Sequence, residues 1–111
     1  MTAPVYIGVN GIHKSLTRTT GALTSFLALK YSYDARDFIF EPVRHWQAER
    51  VLDKNAQNLY GFIEAATGGD WSRANIVAHS YGALIAHTML AVPTTPKLNQ
   101  VHLIAPAMRV K

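Results

Sequence analysis

The chain has 111 residues and a formal net charge of +4, with 49% hydrophobic and 16% charged residues. Its length suits a single domain, 1–111, and its apolar content excludes a disordered chain. The absence of cysteine excludes both a disulfide framework and a thiolate metal site.

Val5–Val9 is a short, mostly apolar run that stops at Asn10-Gly11, and it reads as a buried strand. A loop containing His13 and Lys14 leads to a helix over residues 19–30, with Leu23, Phe26 and Leu27 on one face. A second strand is expected over 37–42, stopped by Pro42, which cannot donate to a ladder. A polar-aromatic loop over 43–51 carries Arg44, His45, Trp46 and Arg50. Asp53 is the expected N-cap of a helix that runs to Thr67 and is closed by Gly68-Gly69. Residues 75–78 read as a third strand, 82–91 as a helix ended by Pro93, and 101–104 as a fourth strand.

Strands alternating with helices imply a three-layer α/β fold, with a mostly parallel four-stranded sheet flanked by helices. In such sheets chemistry gathers where loops leave the carboxyl ends of the strands. The eleven Lys and Arg residues are scattered, without a basic run or zinc-finger spacing, so no nucleic-acid partner is expected. Residues 1–11 show no signal-peptide pattern, and no apolar stretch approaches the ~20 residues that span a membrane. A cytoplasmic protein without a membrane partner is the expectation.

The most informative segment is Ile76-Val77-Ala78-His79-Ser80-Tyr81-Gly82-Ala83-Leu84, where a strand runs directly into a helix with a serine at the turn. A nucleophile elbow is sharp and strained, so small residues are needed two positions before and after the serine. Ala78 and Gly82 meet that need. His79 sits beside the serine on a tight turn and is expected to point elsewhere; Trp46 and Trp71 are expected to pack rather than line a pocket.

Ala78-His79-Ser80-Tyr81-Gly82 resembles the G-x-S-x-G motif of the α/β-hydrolase family, with Ala in first place. Val9-Asn10-Gly11-Ile12 resembles the loop after that family's central strand, with Asn10 where the family usually has His. The resemblance covers nearly the whole chain, as the central strands and first three helices of a minimal α/β-hydrolase core. It implies a serine hydrolase acting on carboxylic esters or related acyl bonds, with no metal and no organic cofactor. Ser80 would be the nucleophile, and the backbone N–H groups of Ile12 and Tyr81 would form the oxyanion hole. The family's strand order would be second, first, third, fourth. That order leaves residues 101–104 as an apolar edge, open to pairing in a homo-oligomer.

A serine needs a base to take its proton, and in this family the acid and the His follow the serine in the chain. After Ser80 there is no Asp or Glu, and the only histidines are His87 and His102. His87 lies seven residues into the helix, roughly 10 Å away at 1.5 Å per residue, and His102 is expected at the start of the last strand, away from the site. The sequence ends at Lys111, soon after Ala105-Pro106-Ala107, where the family continues with the units that carry acid and base. Three readings follow: a truncated hydrolase, a non-catalytic pseudo-hydrolase serving binding or assembly, or a rewired base. His13 and His45 are the candidate bases, with Glu41 or Asp53 as partners.

A rival from another class is a nucleotide-binding loop, because Gly8-Val9-Asn10-Gly11-Ile12-His13-Lys14-Ser15 approaches G-x-x-x-x-G-K-[ST]. His13 stands in place of the second glycine and would crowd the phosphates. Neither later strand ends in the acidic residue that would hold magnesium.

Overall fold

The two inner strands carry the strongest apolar pattern of the chain. In the computed structural model, which describes residues 3–9, 19–38 and 50–104, these are β1 (Val5–Val9) and β3 (Ala74–His79). Val5, Ile7, Val9, Ala74, Ile76 and Ala78 are all fully buried, as expected for strands covered on both faces. The remaining elements are α1 (Thr19–Tyr31), β2 (Asp34–Phe38), α2 (Leu52–Thr67), α3 (Tyr81–Leu90) and β4 (Gln100–Ile104), with a 3₁₀ turn at Trp71–Arg73. All strand pairs are parallel, in the order β2-β1-β3-β4. Right-handed crossovers put α1 on one face and the packed pair α2 and α3 on the other, which is the expected three-layer arrangement. The buried cluster joins Val5, Ile7 and Ile76 of the sheet to Leu59 and Ile63 of α2 and Ile85 of α3.

α2 follows its sequence pattern: Ala56, Leu59, Ile63 and Ala66 are buried and form one stripe. It stops where expected. Gly68 takes a left-handed conformation (φ 61), and the amides of Gly68 and Gly69 donate to the carbonyls of Ala65 and Glu64. Its start differs, because the N-cap is Val51 and no side chain caps the helix. Asp53 lies inside the first turn, where its negative charge complements the positive end of the helix dipole.

Trp71 is used for packing, as expected. Its ring lies 4.7 Å from that of Tyr60, and its indole N–H donates to Glu64 Oε1 at 2.7 Å. Arg73 then ties the amino end of the sheet to the end of α2, donating to the carbonyls of Ala3 (2.8 Å) and Thr67 (3.1 Å).

The second strand needs correction. β2 occupies Asp34–Phe38, starting three residues before the expected 37 and including Asp37 and Phe38, and it pairs Asp34 with Val5 through Phe38 with Val9; residues 39–42 lie outside the described residues. Three of its five residues are charged, which hides a strand from any apolar pattern. β2 is at one end of the sheet, so Arg36 stays exposed and grips Asp34 at 2.9 Å. That hydrogen bond and the carboxylate's charge push the Arg36 pKa upward.

β4 closes the other end of the sheet, and all five of its residues are exposed. Asn99 guides the chain into it, its amide donating to the Ala74 carbonyl and its side chain to Asn75 Oδ1 at 2.8 Å. Among the described residues no helix is long and apolar enough to cross a membrane.

Candidate active site at the β3–α3 turn

Parallel strands in register bring Val9, Phe38, Ala78 and Leu103 to one level, so β3 and β4 end together at His79 and Ile104. Ser80 is the single residue between β3 and α3, at the carboxyl end of the sheet. Its backbone has φ 57 and ψ −124, the first central conformation of a type II′ turn, where glycine is usual. A side chain held there costs about 1–3 kcal/mol.

Among the described residues only Ser32 is another non-glycine with positive φ, and its origin differs. Ser32 follows the end of α1, where the Tyr33 amide reaches back to the Leu27 carbonyl, an ordinary left-handed helix stop. A helix start makes no such demand, so the strain at Ser80 belongs to the strand-to-helix turn itself. The turn is pinned from both sides. The Ser80 amide donates to the Ile104 carbonyl at 3.1 Å, and the Ser80 carbonyl accepts from the Ala83 amide at 2.9 Å. The Ser80 hydroxyl caps no amide of α3, which removes helix capping as its purpose. Ala78 is fully buried and Gly82 is buried, so the small residues flanking the serine lie where strand and helix backbones approach.

Tyr81 divides its roles. Its side chain is buried, and its hydroxyl accepts a hydrogen bond from Asn55 Nδ2 at 3.3 Å, joining the first turns of α3 and α2. Burial pushes that hydroxyl's pKa up, and the Asn55 hydrogen bond partly offsets the rise. Its backbone amide heads α3, directly after Ser80. Asn55 went unnoticed in the sequence; its signal was an amide residue within the apolar stripe that continues through Ala56, Leu59 and Ile63.

No described histidine or carboxylate is brought to the serine. His79 is the last residue of β3, and strand alternation sends its side chain to the face opposite Ala78. His87 is exposed in the last turn of α3. His102 is at the middle of β4 rather than its start, opposite Val77, with its Nε2 3.3 Å from Gln100 Oε1. Asp53 is exposed on α2. Ile12, His13, Glu41, His45 and Trp46 lie outside the described residues. Among the described residues no cluster of His, Asp and Glu is suited to hold a metal ion.

A cleft of about 430 Å³ between α2 and the end of α3 is lined by Asp53, Gln57, Tyr60, Met89, Val92 and Thr95 among others. None of its lining residues belongs to the turn at Ser80. The nucleotide-loop reading gains nothing: Gly8 and Val9, its first two positions, are paired in β1 on both sides, and the other six lie outside the described residues. Comparison with protein families, curated proteins and solved structures finds no match to this chain.

Proposed function

We propose that this chain is an α/β-hydrolase-like protein of the cytoplasm whose Ser80 attacks carboxylic esters or related acyl bonds. The observation that carries the reading is the strained Ser80 backbone, φ 57 and ψ −124, between a buried parallel strand and a helix that its hydroxyl does not cap. Strain of this kind persists where the surrounding structure over-determines it, and such sites are often functional. Ser80 Oγ would add to the substrate's carbonyl carbon while a base takes its proton. The Tyr81 amide, with that of Ile12, would donate to the developing oxyanion. Collapse of the tetrahedral intermediate breaks the carbon–oxygen bond to the leaving alcohol, and water then releases the acid from the acyl-serine. Each oxyanion donor is worth roughly 10²–10³ in turnover. The reaction needs no metal or organic cofactor.

The base would come from His13 or His45, since no described histidine faces Ser80. Slow turnover is therefore the expectation. The same observation supports a second reading, a pseudo-hydrolase that keeps the elbow and serves assembly through the exposed β4 edge. Stopped-flow hydrolysis of p-nitrophenyl acetate separates the two. The hydrolase reading predicts a burst of nitrophenol approaching one per chain, absent in Ser80→Ala. A folded wild type that releases nitrophenol no faster than Ser80→Ala, in burst or steady state, leaves only the pseudo-hydrolase.

A further inference from the structure

α1 presents apolar side chains to solvent. Leu29 is 86% exposed, Phe26 48% and Tyr31 49%, and Tyr33, just beyond the helix, is 41% exposed. The helix sequence contains no acidic residue, and its single charge is Lys30. Contiguous apolar side chains facing solvent mark surfaces that contact a partner or a membrane.

The exposed rings are also organised. Tyr6, Tyr33 and Tyr31 form a continuous stack, with centroids 5.3 and 5.4 Å apart, and Phe26 meets Tyr31 edge-on at 5.7 Å. Lys30 Nζ lies 5.6 Å from the centre of the Phe26 ring. A ladder fixed by mutual stacking loses little side-chain freedom on docking. Tyrosine rings and a lysine with an apolar stem also suit a boundary between water and hydrocarbon.

We propose that this patch, Phe26, Leu29, Lys30, Tyr31 and Tyr33, docks the protein on an anionic lipid surface, with Leu29 and Phe26 entering the headgroup–acyl boundary. Two observations favour lipid over a second copy of the chain. Half-exposed rings that bury ~150–250 Å² when fully covered, together with Leu29, offer roughly 400–500 Å², so a stable interface of ~800 Å² per partner between two copies would have to draw the rest from the surface around them, Lys30 included. A second copy would also bring the same Lys30 and the same net charge of +4 to the contact, whereas an anionic leaflet complements both. Interfacial docking needs no spanning helix, so it is compatible with the absence of one among the described residues. The patch is at the amino end of the sheet, beside Tyr6 and the start of β2, and Ser80 is at the carboxyl end. The patch shares no residue with the turn, so docking does not depend on the hydrolase reading.

The test is co-sedimentation of the full chain with vesicles of phosphatidylcholine containing phosphatidylglycerol, against pure phosphatidylcholine, with light scattering in the absence of lipid. Wild type should bind the anionic vesicles and lose binding at high salt. Phe26→Ser with Leu29→Ser should lower affinity about tenfold or more, and Lys30→Glu should weaken binding with unchanged circular dichroism. Leu29→Ser alone, at an almost fully exposed position, keeps the test sound if the double variant misfolds. The proposal is overturned if wild type ignores anionic vesicles, if the variants bind as well as wild type, or if Leu29→Ser dissociates an oligomer formed without lipid.

Discussion

Replacing Ser80 by Gly and by Ala separates a strained elbow from an ordinary helix cap. With φ 57 and ψ −124, the serine's Cβ costs about 1–3 kcal/mol, which glycine does not incur. Glycine gives back about 0.4–1 kcal/mol through the freer unfolded chain. Ser80→Gly should therefore stabilise the fold by about 0.5–2 kcal/mol, or raise Tm by roughly 2–8 °C in a domain of this size. Alanine keeps the Cβ and its strain, and no capping bond exists to lose, so Ser80→Ala should remain within about 0.5 kcal/mol of wild type. At a true N-cap the ranking differs: Ser→Ala costs ~0.5–2 kcal/mol and Ser→Gly a few tenths. Urea melts of the three proteins, with equal m-values, give the comparison. If Ser80→Ala loses a kilocalorie or more and Ser80→Gly does not exceed wild type, the strain argument fails.

Asn55→Ala would remove the 3.3 Å hydrogen bond that Asn55 donates to the Tyr81 hydroxyl, at a cost of about 0.5–1.5 kcal/mol; equal loss in a Tyr81→Phe background would show that this contact is not the cause. Folding raises the Tyr81 pKa above its ordinary value of 10.0, so the unfolded chain ionises first. The corresponding stability is complete below pH 10 and is lost as pH rises through the folded value; alkaline urea melts should show a fall above pH 10 that Tyr81→Phe makes shallower. Leu103→Lys on the exposed β4 should abolish any self-association through that strand, and an unchanged mass by light scattering would place the contact elsewhere.

The parts of the fold visible in the sequence were those whose burial leaves a one-dimensional pattern. β1 and β3 show as apolar runs because both faces are covered, and α2 shows as a stripe ended by Gly68. The start of β2 did not, because an end strand with Asp34, Arg36 and Asp37 owes its conformation to pairing with β1 rather than to its own side chains. Asp53 resembled a cap by type alone; backbone geometry gave that position to Val51. At the turn, Ala78 and Gly82 were legible because backbone approach demands small residues. The Asn55–Tyr81 bond joins residues 26 apart and leaves no local trace. The outward apolar face of α1 was equally hidden, since Phe26 reads as a core residue in any helical pattern yet stands half exposed.

The account's central claim, an activated serine at residue 80, is tested most directly by intact-mass spectrometry after treatment with a fluorophosphonate. The account predicts one adduct per chain on the folded protein, lost in Ser80→Ala and slowed when His13 or His45 is replaced. A folded wild type that takes up no adduct, or one labelled equally well without Ser80, would contradict it.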